Sequence, residues 1–387
     1  MSCRAPTTVR NLLMKLIQTP DLRTIYRRNL LLARLSAAFQ MAGHDGEDSI
    51  DEQASSLRLR ELIKYIGSQN ESQACFDDVK PFVEQLDRSG VQYFLRVCVP
   101  HLHDTSRDDY HSHRLRLLGY KLKYLILSCP VYYTTSPGSK PRFTCMSCEG
   151  ELEYQSCREC FGEVYQRCLD LYEIISIEEP DTLSTDSAPA DLVIMAALCA
   201  VKLASANPDV PCSSLPPGSF RYIMRGLLLL ERQLAFSPKN SQILLLLLQL
   251  HLLVGSAPRT TFLFEELSVK RTIMDSLAPI FYDRLTTVAP KLLDPDEDLG
   301  YHLADALASH YQNSLKLRMP RRLVDAFASD NYSSVLDIPK YITALRNSAT
   351  RAMSLVEELR SERMLGGPTW ELFSSVRYRE YLLQTGM

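Results

Sequence analysis

Four cysteines make the one constellation in this chain whose residue types and spacing suit a chemical task. Cys145-Met146-Ser147-Cys148-Glu149-Gly150 and Cys157-Arg158-Glu159-Cys160-Phe161-Gly162 share the form Cys-x-x-Cys-x-Gly. A Cys-x-x-Cys turn aims both sulfurs at one point, and following backbone amides can donate to the thiolates. The later glycine spares the turn side-chain strain. Two such turns supply four thiolates, the tetrahedral donor set that suits zinc. Cys145, Cys148, Cys157 and Cys160 are therefore the candidate ligands of a structural zinc. No nearby histidine or acid points to an open catalytic position, so the site is expected to be closed. It would staple a loop between helices at 106–129 and 160–177. The connection Glu151 to Ser156 is shorter than that of a zinc ribbon. Without metal, the same residues would be four free cysteines in a loop. A redox dithiol fits less well, since no βαβ pattern surrounds the pair.

Other clusters of reactive types read as solvated or buried side chains. His101-Leu102-His103-Asp104 and His111-Ser112-His113 bring four histidines close in sequence. On a helix, His-x-His sets the rings about 200° apart, which is wrong for one ion, so they read as a solvated loop. Asp77-Asp78 and the acidic loop His44 to Asp51 read as solvated helix starts, where acids are favoured. Cys75 and Cys199 sit in apolar helical patterns and read as core cysteines. The chain has no Gly-rich phosphate loop, no Gly-x-Ser-x-Gly, no His-Glu-x-x-His and no acetyl-CoA loop of the Arg/Gln-x-x-Gly-x-Gly/Ala kind. Catalytic and cofactor-binding residues are accordingly expected to be absent, and a free-standing enzyme is disfavoured. Lys316 to Arg322 is a short basic run that reads as a solvated face. Phosphate contact with ribosomal RNA is its weaker reading, with no interleaved aromatic stripe to support sequence reading.

The elements that must position these residues are helices. From Phe220, apolar residues Ile223, Leu227, Leu230 and Leu234 recur at three- and four-residue steps, with Arg221, Arg225 and Arg232 on the other side. Ile243 to Val254 is apolar almost all round and must be covered on most sides, yet it is shorter than the roughly 20 residues that span a bilayer. Gly255 ends it, and a third helix carries Phe262, Leu263, Phe264 and Leu267. Helix, Gly turn, helix with a central Phe reads as a degenerate tetratricopeptide-like hairpin. Such a hairpin cannot bury its faces alone, so the neighbours should be more hairpins.

Further helices are expected over Leu22 to Met41, from Ser49 to Gly67, from Ala74 to a stop at Gly90, and over Val91 to Pro100. A long helix should start at a Ser106 cap and stop at Pro130, with others over Cys160 to Ile177, Leu192 to Ala204, Leu299 to Leu317, and Tyr341 to Leu365 before Gly366-Gly367-Pro368. Glu178 to Asp191 is acidic and rich in Ser, Thr and Pro, the composition of a mobile linker. The expected fold is all-α: an α-solenoid of degenerate tetratricopeptide-like hairpins with a small Cys-rich knuckle inserted. The expected regions are 1–130, N-terminal and helical; 131–190, the knuckle, a helix and the acidic linker; and 191–387, helical repeats.

Composition agrees. The 387 residues include 45% hydrophobic ones, enough for a sizeable core, and only 15 glycines and one tryptophan. A net charge of −3 gives no global sign of a nucleic-acid or membrane partner. Met1 to Arg10 lacks the apolar run of a signal peptide, and no segment reads as membrane-spanning. The 11 cysteines are an odd count, most stand alone inside helical patterns, and with no secretory signal they read as reduced, cytosolic thiols, the paired Cys-x-x-Cys cluster excepted.

Three stretches resemble a known family. They are Tyr26-Arg27-Arg28-Asn29-Leu30-Leu31-Leu32-Ala33-Arg34-Leu35; Cys75-Phe76-Asp77-Asp78-Val79-Lys80-Pro81-Phe82; and Leu253-Val254-Gly255, followed by Phe264-Glu265-Glu266-Leu267-Ser268-Val269-Lys270 with Asp275 and Arg284 beyond. They resemble the non-catalytic, auxiliary subunit of the N-terminal acetyltransferase B complex, fungal type. The likeness runs through most of Leu22 to Pro290, and its third stretch is the most specific. The resemblance implies a scaffold, an α-solenoid that wraps a small catalytic subunit of the Gcn5-related acetyltransferase fold. Such a complex acetylates nascent chains beginning Met-Asp, Met-Glu, Met-Asn or Met-Gln at the ribosome. Acetyl-CoA and the catalytic residues are then expected on the partner, the location is cytoplasmic, and DNA is not a partner. Because the likeness begins near residue 22, the family's N-terminal tetratricopeptide array is expected to be missing. The zinc knuckle stands on cysteine spacing alone. A different reading of the same fold is a stand-alone helical adaptor whose zinc knuckle binds another protein or RNA.

Overall fold

A computed structural model describes residues 6–19, 22–41, 52–70, 72–103, 110–136, 142–178, 180–205, 217–269, 272–282, 287 and 303–364. The acidic loop at 44–51, the expected cap at Ser106, Arg284 and Gly366-Gly367-Pro368 lie outside these residues. The fold is all-α, with one small three-stranded sheet among the described residues. It groups into two compact units, Met1–Ser237 and Pro238–Met387.

In the first unit, α1 (Pro6–Ile17), α2 (Thr24–Met41), α3 (Glu52–Gln69) and α4 (Cys75–Val83) pack each on the next. Then come α5 (Arg88–Tyr93), a π-helical turn (Phe94–Cys98) and α6 (Val99–His103), which packs on α7 (Tyr110–Ser128). A 3-10 turn at Pro130–Tyr132 leads to β1 (Thr134–Ser136), β2 (Arg142–Thr144) and β3 (Glu151–Leu152), antiparallel in that order. After the sheet, α8 (Arg158–Glu178) and α9 (Thr182–Thr185) precede α10 (Ala188–Ser205) and α11 (Pro217–Phe236). Helix α7 packs on α8, α8 on α10, and α10 on α11. Packing mainly between chain neighbours is the signature of a solenoid.

The core of α2 to α7 joins Leu35, Leu62, Tyr65, Val79, Phe94 and Leu122, all nearly inaccessible. Helix α10 is the one described helix long and apolar enough to cross a membrane, and 67% of it is buried inside the protein. A Cβ added at Gly226 of α11 would stand 3.6–3.7 Å from the small residues Ala197 and Ala200 of α10, so the two helices lie close here.

In the second unit, α12 (Ser241–Leu253) and α13 (Ala257–Leu267) form the expected hairpin. The Asn240 side chain caps α12 by accepting from the Gln242 and Ile243 amides at 3.1 Å. Gly255 turns the chain at φ 76°, a conformation that favours glycine. Beyond them lie α14 (Thr272–Tyr282), α15 (Leu303–Gln312), a second π-helical segment (Asn313–Arg318), α16 (Met319–Ala328), α17 (Tyr332–Arg346) and α18 (Ala349–Met364).

Four expectations need correction. Gly90 does not end a helix but lies in the first turn of α5, its amide donating to the cap Asp87 at 3.2 Å. A Cβ there would stand 2.6 Å from that carboxylate oxygen. The acidic stretch 178–191 is not a loose linker. Asp186 takes a bidentate bond from Arg114 (2.9 and 2.7 Å), Asp191 pairs with Lys121 (2.7 Å), and Leu183 is buried. The helix expected over 341–365 is two helices, α17 and α18. Ser348 breaks them, accepting from the Arg351 amide and donating to Asp275 at 2.7 Å. Finally, the histidine cluster is not wholly solvated: His101 is exposed, but His113 falls on the inner face of α7 and is buried.

Candidate metal centre

The four predicted cysteines converge. Their sulfurs all lie within 4.8 Å of one another. Cys145 and Cys160 are 3.8 Å apart, and Cys148 and Cys157 are 3.5 Å apart. These spacings are far longer than a disulfide bond of about 2.05 Å, and all four thiols are free. They match the edge of a tetrahedron whose metal–sulfur bonds are about 2.3 Å, which is about 3.8 Å.

The two pairs are held differently. Cys145 to Gly150 is the turn that joins β2 to β3: the Cys145 amide donates to Gly150 (3.0 Å), and the Glu149 amide donates back to Cys145 (2.9 Å). Glu149, not the glycine, takes the left-handed conformation, at φ 60°. Gly150 matters for space instead, because a Cβ there would sit 3.3 Å from the Cys148 sulfur. The second pair rides on a helix start. Cys157 immediately precedes α8 and accepts from the Phe161 amide at 3.0 Å, and Cys160 stands in the first turn. Gly162 lies inside α8 with nothing within 4 Å of a Cβ position, so the repeated Cys-x-x-Cys-x-Gly spelling hides two unlike geometries. This also explains the short connection, since a helix start needs no second hairpin.

The electrostatics prepare the sulfurs for a cation. Hydrogen bonds from Cys157 and Cys160, aided by the Cys148 and Ser147 amides, hold Cys145 far below the ordinary thiol range despite its burial. The same bond to Cys145 pushes Cys157 and Cys160 up. The N-terminal end of α8 adds partial positive charge beside both. A divalent ion held there would favour the thiolate form of its ligands. Cys145, Cys157 and Cys160 are buried, while Cys148 is exposed. The cluster can hold a metal ion, and its four donors leave no position for a substrate.

The knuckle is seated on the helices. Met146 enters the core of α2 to α7, beside Tyr132, whose hydroxyl donates to Val83 at 2.6 Å. Tyr133 donates to Leu127 at 2.6 Å, and burial raises its pKa. Arg96 pairs with Glu149, and Lys123 with Glu163 of α8 at 2.7 Å. The cysteines therefore join the β2–β3 turn to the start of α8, and Lys123–Glu163 joins α8 to α7.

Sequence reasoning missed the role of Asp78. Its carboxylate takes a bidentate bond from Arg28 at 2.7 Å, and the Tyr65 hydroxyl donates to it as well. Burial alone would raise its pKa, but Arg28 and Tyr65 together hold it below the ordinary value of 3.8. Two of the three family-like stretches, one with Arg28 and one with Asp78, thus meet through this pair. Asp275, in the third, accepts from Ser348 and Tyr311. Cys75 and Cys199 are fully buried, as expected of core cysteines, and burial pushes both thiols up to about 12.

The family described as "N-acetyltransferase B complex (NatB) non catalytic subunit" matches residues 4–385. The N-terminal acetyltransferase B complex subunit MDM20 of Saccharomyces cerevisiae is 28% identical over 136 residues, 35% of this chain and 17% of that protein. The matched stretch thus spans less than a fifth of the yeast subunit.

Proposed function

Because the chain belongs to the family of NatB non-catalytic subunits, we propose that it serves as the scaffold that holds the catalytic acetyltransferase subunit. The match over nearly the whole chain carries this reading, and neighbour-packed helices in each unit support it, since stacked helical hairpins offer extended binding surfaces. The family is a non-catalytic one, so the reaction belongs to the partner. On this reading the partner, of Gcn5-related fold, binds acetyl-CoA. The complex then acts in the cytoplasm, at the ribosome, on nascent chains beginning Met-Asp, Met-Glu, Met-Asn or Met-Gln. Co-expression with the catalytic subunit of the same source tests it, with the sizing-column peak assayed on a Met-Asp peptide with acetyl-CoA. Co-elution with raised activity supports the scaffold. Separate peaks without activation would favour the helical adaptor reading.

The cysteine cluster is proposed as a structural zinc site. Cys145, Cys148, Cys157 and Cys160 would be the ligands, and the Ser147 and Cys148 amides would steady the Cys145 thiolate. Zinc there supplies a cross-link between the β2–β3 turn and α8, with no catalytic chemistry. Metal analysis of purified protein should find one zinc per chain, absent from a C145S/C157S variant. Metal-free wild type with unchanged stability would defeat the assignment.

A further inference from the structure

The basic run at 316–322 is more than a charged face. Arg318 ends the second π-helical segment, and Arg321 and Arg322 lie in the first turn of α16. Steps of three and four residues put them on one side. They line a single groove with His310 and Ser314, closed by Tyr341 of α17. One carboxylate, Asp325, also lines it, so three guanidinium groups face a single negative charge. All three arginines are exposed, and none has a hydrogen bond or ion pair among the described residues.

The groove floor is polar and unsatisfied. His310 is only 8% exposed, and its buried Nε2 has no partner. Burial lowers its pKa, which favours the neutral imidazole, with one N–H and one acceptor. Ser314, also buried, adds a hydroxyl from the π-helical segment. Such segments occur often at functional sites. Clustered guanidinium groups with adjacent hydroxyl and imidazole donors are the arrangement that takes tetrahedral oxyanions.

We propose that this groove binds a phosphate group, presented by a small oligophosphate or by an RNA backbone. The inference is independent of the acetyltransferase reading. The full chain would be titrated with inorganic tripolyphosphate by calorimetry, and with labelled single-stranded RNA by anisotropy, near physiological salt. Wild type should bind tripolyphosphate at one site. R321Q/R322Q should weaken binding about tenfold or more, while K239Q, at an exposed lysine that does not line the groove, should leave it unchanged. Circular dichroism would confirm that each variant is folded. RNA binding displaced by tripolyphosphate, with affinity falling steeply as salt rises, identifies the backbone as the source. Tripolyphosphate binding without RNA binding identifies a small oligophosphate. Failure of both to bind, or equal binding by wild type and R321Q/R322Q, overturns the proposal.

Discussion

With Arg28 on α2, Tyr65 on α3 and itself on α4, Asp78 joins three helices through one carboxylate. Asp78→Asn keeps the shape and removes the charge, and should cost about 2 kcal/mol, read from urea unfolding at pH 7. The sign of its pH dependence follows from the lowered pKa. The stabilisation is complete above the ordinary value of 3.8 and is lost as pH falls through the depressed one. The gap between wild type and variant should therefore narrow only below about pH 4. A gap that closes between pH 5 and 7 would contradict this assignment. Cysteine reactivity gives a second prediction. In chelator-treated protein, iodoacetamide should label the exposed Cys148, and zinc should protect it. Cys75, Cys168 and Cys199, buried with raised pKa values, should resist until unfolding. At this scale the sequence was legible for the cysteines, because their spacing is local. It misleads on Asp78, which reads as a solvated helix start, because its partners Arg28 and Tyr65 lie 50 and 13 residues away.

Among the elements, the two cysteine turns make opposite forecasts for one substitution. Gly150→Ala crowds the Cys148 sulfur at 3.3 Å and should weaken zinc retention against a competing chelator, with little loss of fold. Gly162→Ala meets nothing inside α8, and should raise stability by about 0.5–1 kcal/mol in thermal melts. If both substitutions behaved alike, the knuckle and the helix start would not be the different structures described. Helical periodicity made most helices legible, including the α12–α13 hairpin. Boundaries set by side chains of distant elements were not. The 178–191 stretch has a linker's composition, yet Arg114 and Lys121 on α7 pin it. Likewise Ser348 divides α17 from α18 partly by bonding Asp275, which lies 73 residues away.

For the whole molecule, neighbour-to-neighbour packing predicts how damage spreads. Because Met146 shares the core of α2 to α7, stripping the metal should speed hydrogen exchange first in α4 to α8. Helix α1, which packs on α2, should change least. Uniform loss of protection across the first unit would show a single cooperative block instead. The all-α class and its repeated hairpins could be read from the chain, since each hairpin's apolar stripe implies a stacked neighbour. The groove at Arg318 could not, because it depends on how the π-helical segment turns Ser314 and Arg318 beside His310.

The segment from Pro130 to Cys157 leaves the end of α7 and returns at the start of α8, two helices that pack directly on each other. Its entry and exit lie close together, because Lys123 and Tyr124 near the end of α7 meet Glu163 and Phe161 at the start of α8. In evolutionary terms such a passage can be inserted or excised with both ends in place, but its loss would also remove Tyr132 and Met146 from the core of α2 to α7. A lineage that lost the cysteines would be expected to shorten the whole passage, and to refill the place of Met146 with another apolar side chain.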